Sequence, residues 1–262
     1  MIYELRRYTL HPGRRDTLIE LFEREFVESQ EAAGIGLAGH FRDLDSPDVF
    51  CWLRKFPDME ARRVALAAFY GGPVWKAHRT AANATMIDSD DVLLLHPVPT
   101  GLSAQDDSPF PADDPFPGTA FPLVGSAGLP ESGALSESGA LSESRLPESG
   151  LPGAVYVATV HHVPEGVAGF AAFFAERVAP ALAGAGMPPI ACFETEHAVN
   201  TYPALPVRTG ENVFVWFARF ERDEDAGKPH EALEVEAVLL EGQVAGTPQR
   251  FRLSPAARSV LR

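Results

Sequence analysis

The chain has 262 residues, a length that suits two domains of about 100 residues each. Its hydrophobic fraction of 45% supports buried cores. The net charge is −14 at pH 7, and the sequence outside 101–153 is mildly acidic without a basic stripe, which argues against partners such as nucleic acid or an anionic membrane. No run of 18 apolar residues is present, so no membrane span is predicted. The start of the chain reads directly as a strand without a signal peptide, and the two cysteines lie in separate predicted strands. These features predict a cytoplasmic protein.

Residues 1–98 alternate between strand-like and helix-like patterns. Period-2 segments predict strands over 2–10, 37–42, 49–56 and 86–96. Apolar residues at helical spacing predict a helix over 14–33, and Asp58 is placed to cap a second helix over 58–69, followed by a third piece over 74–84. The order β-α-β-β-α-β indicates a ferredoxin-like domain, which is an antiparallel sheet with helices on one face.

The second half repeats the first. The pattern Val-Phe-x-Trp-x-x-x-Phe occurs at 49–56 and again at 213–220. Further matches align Ile2-Tyr3 with Val155-Tyr156 and Leu95-His-Pro97 with Leu253-Ser-Pro255. The difference in residue number between matching positions changes along the chain, which places an insertion of about 12 residues within 197–211. Residues 154–262 are therefore predicted to form a second ferredoxin-like domain of the same α+β class, and the bare faces of the two sheets are expected to pack together within one chain.

Residues 99–153 are predicted to be a disordered linker. Between 101 and 153 the chain has eight acidic residues and one arginine, a net charge of −7, which is half of the −14 of the whole chain. A six-residue period rich in Ser, Gly and Glu follows, and it has too little apolar surface to offset the entropy of ordering. The alternative is a short docking motif where phenylalanines interrupt the polar tract, at Phe110 or within 116–121.

The first strand provides the best candidates for catalysis. Alternation places Glu4, Arg6 and Tyr8 on one face, which suits a solvated face, a structural ion-pair network between packed sheets, or a ligand cavity. In a cavity, Arg6 would hold an anion or a carbonyl group, and Tyr8 or Glu4 would donate or accept a proton.

Further candidates for ligand binding lie on neighbouring elements. They are His40 and Arg42 on the second strand, Trp52 and Arg54 on the third, and Trp75 on the following helix. Together they would make a cationic site with aromatic walls, suited to a small organic molecule with a carboxylate or an aromatic polyketide-like skeleton. The alternative for His40 is a surface or pocket-rim histidine. The alternative for Trp52 is a packing role, since it recurs as Trp216, and for Trp75 it is packing of the helix on the sheet.

The second half has lost most of these polar residues. Val157, Thr159 and His161 stand where the first half has Glu4, Arg6 and Tyr8. His161 is the one histidine considered as a ligand-binding residue for haem. His161 and His162 are adjacent in a strand and point to opposite faces, so they cannot chelate one metal ion together.

The first half resembles the NIPSNAP family, within the dimeric α+β barrel superfamily. The matching residues are Ile2-Tyr-Glu-Leu-Arg6 with Leu10-His-Pro-Gly13, then Trp52, Phe56 and Glu60, and finally Pro73-Val-Trp75. The second half resembles tandem members through Arg252-Leu-Ser-Pro-Ala-Ala-Arg-Ser259. At Ser46-Pro-Asp48 the chain departs from the family, where an Asn-containing turn is common.

The resemblance implies a barrel closed within one chain, and it leaves the activity open. Related barrels include cofactor-independent monooxygenases, isomerases and haem enzymes. Three hypotheses follow: a cofactor-independent enzyme of the oxygenase, isomerase or cyclase type, a non-catalytic module that binds a small molecule or haem, and a scaffold for protein interactions. No cofactor is expected, with a haem as the alternative, and the chain is expected to be a monomer or a homo-oligomer.

Overall fold

A computed structural model describes residues 1–102, 153–226 and 231–261. The predicted linker falls almost entirely outside these ranges, so the disorder and the docking motif predicted there stay predictions. In the part of the chain that is described, no helix combines the length and the apolar character needed to cross a membrane.

Eight antiparallel strands form a closed barrel. Their order around the barrel is β1-β3-β2-β8-β5-β7-β6-β4. The halves join at two seams, where Phe41 of β2 lies opposite Pro255 of β8 and Leu95 of β4 lies opposite Thr195 of β6. The strands are β1 Ile2–Leu10, β2 Gly36–Asp43, β3 Val49–Phe56, β4 Met86–Val98, β5 Val155–His162, β6 Ala191–Thr195, β7 Val213–Phe220 and β8 Ala245–Pro255.

Helices cover the outer face of the barrel. In the first half, α1 spans 15–32, α2 spans Met59–Gly71 and α3 spans Pro73–Asn83; in the second half, α4 spans 170–184, α5 spans Asp223–Ala226 and α6 spans Glu231–Leu239. The Asp58 side chain accepts a hydrogen bond from the amide of Ala61 at 2.8 Å and caps α2, as predicted.

Both long helices contain a π-helical turn that their periodicity did not predict. The turn is Phe22–Phe26 in α1 and Phe174–Val178 in α4. Such turns insert an extra residue into a helix and often occur near functional sites. Here the turn in α1 places Glu23 over β2, where it meets His40.

The two faces of the sheets have different partners. Inside the barrel, residues of both halves form one apolar core, in which Tyr3 packs on Phe193 at 4.9 Å and Phe41 packs on Tyr156 at 5.7 Å between ring centroids. The even-numbered residues of β1 point outward and lie beneath the helices, where Ile2, Tyr8 and Leu10 join a separate core. Glu4, Arg6 and Tyr8 therefore lie between sheet and helices, so an ion-pair network between packed sheets is not what they form.

Candidate functional site

A single buried carboxylate binds three arginines in the first half. Glu4 Oε2 accepts hydrogen bonds from Arg6 Nη1 at 2.5 Å and from Arg54 Nε at 2.8 Å, and Glu4 Oε1 accepts one from Arg62 Nε at 2.6 Å. The exposed fraction of each of the four residues is 1% or less. We refer to these four residues, together with Tyr8, as the Glu4 cluster.

The elements of the first half converge to build this cluster. Glu4 and Arg6 lie two residues apart on β1, and Arg54 on β3 lies directly opposite Glu4 in the strand register. Arg62 enters from the first turns of α2, which packs over this part of the sheet. Two strands and one helix thus fix the three guanidinium groups around one acid.

Aromatic rings surround the arginines. Arg6 Nε donates to the Tyr8 hydroxyl at 2.9 Å, and Arg54 Nη1 donates to the Tyr70 hydroxyl at 3.4 Å. The guanidinium carbons of Arg6 and Arg54 lie 5.5 Å and 5.1 Å from the centroid of the Trp52 ring. Aromatic faces attract cations, so they offset part of the cost of burying these charges.

The charges in the cluster do not balance. Three guanidinium groups and one carboxylate leave a net charge of +2 beneath the helices. Within the described part of the chain, Arg62 Nη2 and Trp52 Nε1 are buried and have no hydrogen-bond partner. A buried donor without a partner costs free energy unless a water or another polar group binds to it.

The cluster sets the protonation states of its own acids. Burial acts to raise the pKa of Glu4, but the charges of Arg54, Arg6 and Arg62 outweigh it, so the pKa of Glu4 lies far below its ordinary value. Burial raises the pKa of Tyr8, although Arg6 opposes this. Glu4 is therefore an anion and Tyr8 a neutral phenol at neutral pH.

The arginines lie beneath a partly exposed aromatic patch. Tyr70 contacts Trp75 edge to face at 4.9 Å, and Tyr202 stacks on Tyr70 at 6.2 Å with an angle of 26° between the rings. Trp75, one of the predicted residues, lies at this patch, and its ring also packs on Phe26 and Phe69. Tyr202 belongs to the second half, so both halves contribute to the patch.

Two predicted residues, His40 and Arg42, lie outside the cluster. His40 is 2% exposed, and its Nε2 lies 2.9 Å from Glu23 Oε1, so the prediction of a surface or pocket-rim histidine was wrong. The helix α1 covers this part of β2, which the strand pattern did not reveal. Arg42 donates to Asp16 at 2.9 Å near the surface.

The second half has a different buried network, which we call the Glu236 cluster. His161 Nε2 lies 2.8 Å from Glu236 Oε1, and Trp216 Nε1 donates to the same oxygen at 2.9 Å. Arg250 Nη2 donates to Glu236 Oε2. Burial opposes ionisation of Glu236, but His161 and Arg250 lower its pKa below the ordinary value.

This arrangement does not fit a haem. A haem iron needs a ring nitrogen that faces an open cavity. His161 is 2% exposed, Glu236 holds its Nε2, and the residues lining the two cavities described below do not include it.

Two surface cavities lie away from the Glu4 cluster. One of about 540 Å³ is lined by His162, Glu165, His197, Gly210 and Glu211, among others. The other, of about 700 Å³, is lined by acidic and basic residues at one end of the barrel, including Arg7, Asp91 and Arg208. Across residues 1–102, 153–226 and 231–261, no group of three or more His, Cys, Asp or Glu residues is arranged to hold a metal ion.

Three residues of these networks were missing from the predicted sites. Arg62 and Glu236 each lie on the apolar face of a helix, four residues from the buried Leu66 and Leu240. A charged residue in line with apolar ones was a signal that could have identified both. Asn200, which accepts a hydrogen bond from Arg62 Nη1 at 3.0 Å, lies in an irregular loop and gave no such signal.

The fold defines the class of protein first: an α+β protein built on a closed, eight-stranded antiparallel barrel. Solved structures share this fold along most of the chain. A candidate monooxygenase from Lactobacillus acidophilus NCFM is 12% identical, with a TM-score of 0.51, and the match covers 97% of this chain and 93% of that one. A candidate monooxygenase from Fusobacterium nucleatum is 9% identical, with a TM-score of 0.52 and coverage of 97% and 91%. An anthrone oxidase-like protein is 14% identical, with a TM-score of 0.52 and coverage of 98% and 92%. At these identities the likeness concerns the fold alone.

The family follows from the sequence of the first half. Residues 3–101 match the NIPSNAP family, so this part of the chain is a NIPSNAP domain and the resemblance of the first half is confirmed. No functionally curated protein matches the chain.

Proposed function

We propose that the Glu4 cluster binds the anionic form of an aromatic small molecule, as part of a cofactor-independent enzyme of the oxygenase or isomerase type. The observation that carries this proposal is the net charge of +2 on Arg6, Arg54, Arg62 and Glu4, all buried. Buried charges are normally paired, because an unpaired charge loses its hydration without compensation. A carboxylate or an enolate oxygen would supply the missing negative charge.

The chemistry assigns different roles to the two predicted acids. Glu4 already accepts hydrogen bonds from three arginines and is a poor proton acceptor, so it orients the guanidinium groups. Tyr8 accepts from Arg6 Nε and keeps its own proton for donation. A cluster of this kind favours the ionised form of an enol or phenol, since fixed positive charge stabilises a developing oxyanion.

The names of the structural neighbours support this class of reaction, and one of them names an aromatic substrate. Two are described as candidate monooxygenases and one as anthrone oxidase-like. An anthrone ionises to an aromatic enolate, and its oxidation by one dioxygen converts the ring CH₂ to a carbonyl group and releases one water. The partly exposed rings of Tyr70, Trp75 and Tyr202 suit such a flat molecule.

The same barrel supports a proposal about its origin. We infer that residues 1–98 and 154–262 are duplicated ferredoxin-like domains forming an intrachain dimeric α+β barrel, joined by 99–153. The strand orders β4-β1-β3-β2 and β8-β5-β7-β6 correspond position by position. The π-helical turns also recur, at Phe22–Phe26 and Phe174–Val178.

Calorimetry with benzoate and benzamide tests the proposed site. These probes have the same ring and differ in charge, so we expect benzoate to bind at least about tenfold more tightly. Arg62→Gln should abolish the preference for benzoate over benzamide. Arg7→Gln is the matched control, because Arg7 lies on the same strand as Arg6 but contacts Asp43 and Asp91 on the other face. Equal binding of both probes, or no binding of either, would overturn the proposed site.

Turnover is tested separately with anthrone in air. We expect the protein to accelerate dioxygen consumption above the rate in buffer, and Tyr8→Phe to slow it while benzoate binding persists. Benzoate binding without dioxygen consumption would instead assign the site to a non-catalytic binding module.

A further inference from the structure

A loop of the second half covers the charged cluster of the first half. Residues 197–211, which we call the capping segment, connect β6 to β7 and have no counterpart of this length between β2 and β3. Thr201 Oγ1 donates to the carbonyl of Met59 at 3.0 Å, and the amide of Arg208 donates to the carbonyl of Val92 at 2.9 Å. Tyr202 and Leu205 pack against the outer core of the first half.

Asn200 is the member of this segment that reaches the cluster. Its Oδ1 accepts from Arg62 Nη1 at 3.0 Å, and the same oxygen accepts from the amide of Tyr202 at 3.0 Å. Its Nδ2 donates to the carbonyl of Leu205 at 2.9 Å. A neutral amide oxygen thus lies against a guanidinium group whose Nη2 has no hydrogen-bond partner in the described residues.

An amide oxygen is a weaker partner for a guanidinium group than a carboxylate oxygen, which carries a charge and can accept two parallel hydrogen bonds. We propose that Asn200 occupies the place of the ligand's anionic group at Arg62, and that ligand binding displaces it together with the capping segment. This inference rests on the proposed function, because it presumes an anionic ligand at the Glu4 cluster.

The surroundings of the segment allow this displacement. Val199 is 85% exposed, and Pro203 and Ala204 are also exposed, so these three residues make few contacts that a displacement would break. His197, Gly210 and Glu211 at its two ends line the cavity of about 540 Å³, which gives these ends room to move. Gly210 has a φ of 75°, a conformation that glycine adopts readily at a hinge.

Asn200→Asp in the full chain tests directly whether Asn200 occupies the place of the ligand's anionic group. The substitution puts a carboxylate beside Arg62 without changing the size of the side chain, so it should compete with the ligand and weaken benzoate binding by about tenfold. Asn200→Ala removes the amide group that contacts Arg62 and should tighten benzoate binding by a few-fold.

Thr201→Val is the matched control, because it loosens the same segment but leaves Asn200 at Arg62. It should tighten benzoate binding less than Asn200→Ala does. Hydrogen exchange adds an independent readout: the amides of Tyr202 and Arg208 should exchange faster when benzoate is bound. Slower exchange of these amides, or unchanged benzoate affinity in both Asn200 variants, would overturn the proposed role of Asn200. If wild-type protein binds benzoate no better than benzamide, the proposed function itself fails, so the two failures are distinguishable.

Discussion

Glu4 in the first half and Glu236 in the second are each buried between sheet and helices, and the two glutamates lie on different kinds of element. In the first half, Glu4 lies on a strand and three arginines surround it. In the second half, Glu236 lies on helix α6 and its partners are His161, Trp216 and one arginine, Arg250. One scaffold therefore accepts two ways of placing a buried acid.

The clusters differ in their number of arginines. One arginine, Arg250, contacts Glu236, whereas the three that contact Glu4 exceed its charge by two. Arg250 is also 29% exposed in its side chain, so it reaches water, while the arginines of the first half do not. The proposed ligand site rests on this excess of positive charge in the first half.

The largest expected effect comes from removing each acid. Glu4→Gln leaves three buried guanidinium groups without a counter-charge, and we expect the free energy of unfolding to fall by about 3–5 kcal/mol. Glu236→Gln should cost less, about 1–3 kcal/mol, because Arg250 can turn to solvent. Chemical denaturation of both variants measures the difference. Equal losses would show that charge excess does not distinguish the halves.

The next largest effect is expected in the pH dependence of stability that the Glu4 cluster contributes. The pKa of Glu4 is lower in the folded protein than its ordinary value of 4.5, because the arginine charges outweigh the effect of burial. Its contribution is therefore complete above the ordinary pKa and is lost as the pH falls below it. The stability difference between wild type and Glu4→Gln should shrink between about pH 6 and pH 3. A constant difference over this range would contradict the assigned ionisation of Glu4.

A smaller effect is expected at the two equivalent tryptophans. Trp216 Nε1 donates to Glu236 at 2.9 Å, whereas Trp52 Nε1 has no partner among the described residues. Trp216→Phe should cost about 1–3 kcal/mol for the lost hydrogen bond to a charged group, in addition to the loss of ring volume that both variants share. Thermal melting of the pair, with Trp52→Phe as the control, checks this. The reverse order would mean that ring packing dominates.

The smallest difference between the halves is expected at the cysteines, because each half buries one. Burial raises the pKa of both Cys51 and Cys192, and both side chains are inaccessible. A thiol reagent should label neither residue in the folded protein and both after unfolding. Rapid labelling of either cysteine in the native state would show that its half opens locally.

The sequence predicted much of this fold because the repeated pattern constrains it. The Val-Phe-x-Trp-x-x-x-Phe segments are strands β3 and β7, and the bare sheet faces do meet in one core. The alternation along β1 also placed Glu4, Arg6 and Tyr8 on one face. It could not show that this face lies beneath helices, because both faces of β1 contain charged and apolar residues and both are mostly buried.

The rest of the candidate site depends on contacts between distant segments. Asn200 and Tyr202 reach the first half from a loop for which the sequence predicted only an insertion. Arg62 lies on the apolar face of α2, yet its contact with Glu4 depends on how α2 packs across the sheet. Such contacts leave no periodic pattern in a single sequence, and so they became visible only in the fold.

The closure of the barrel inside one chain has a consequence for how the molecule can change over time. In a barrel made of two identical chains, every substitution appears twice, and a lengthened loop must be tolerated on both sides. Here the seams between β2 and β8 and between β4 and β6 join segments encoded separately. Each half is therefore free to accumulate its own substitutions, so one can keep an unbalanced cluster while the other keeps the barrel closed and extends a loop across its neighbour.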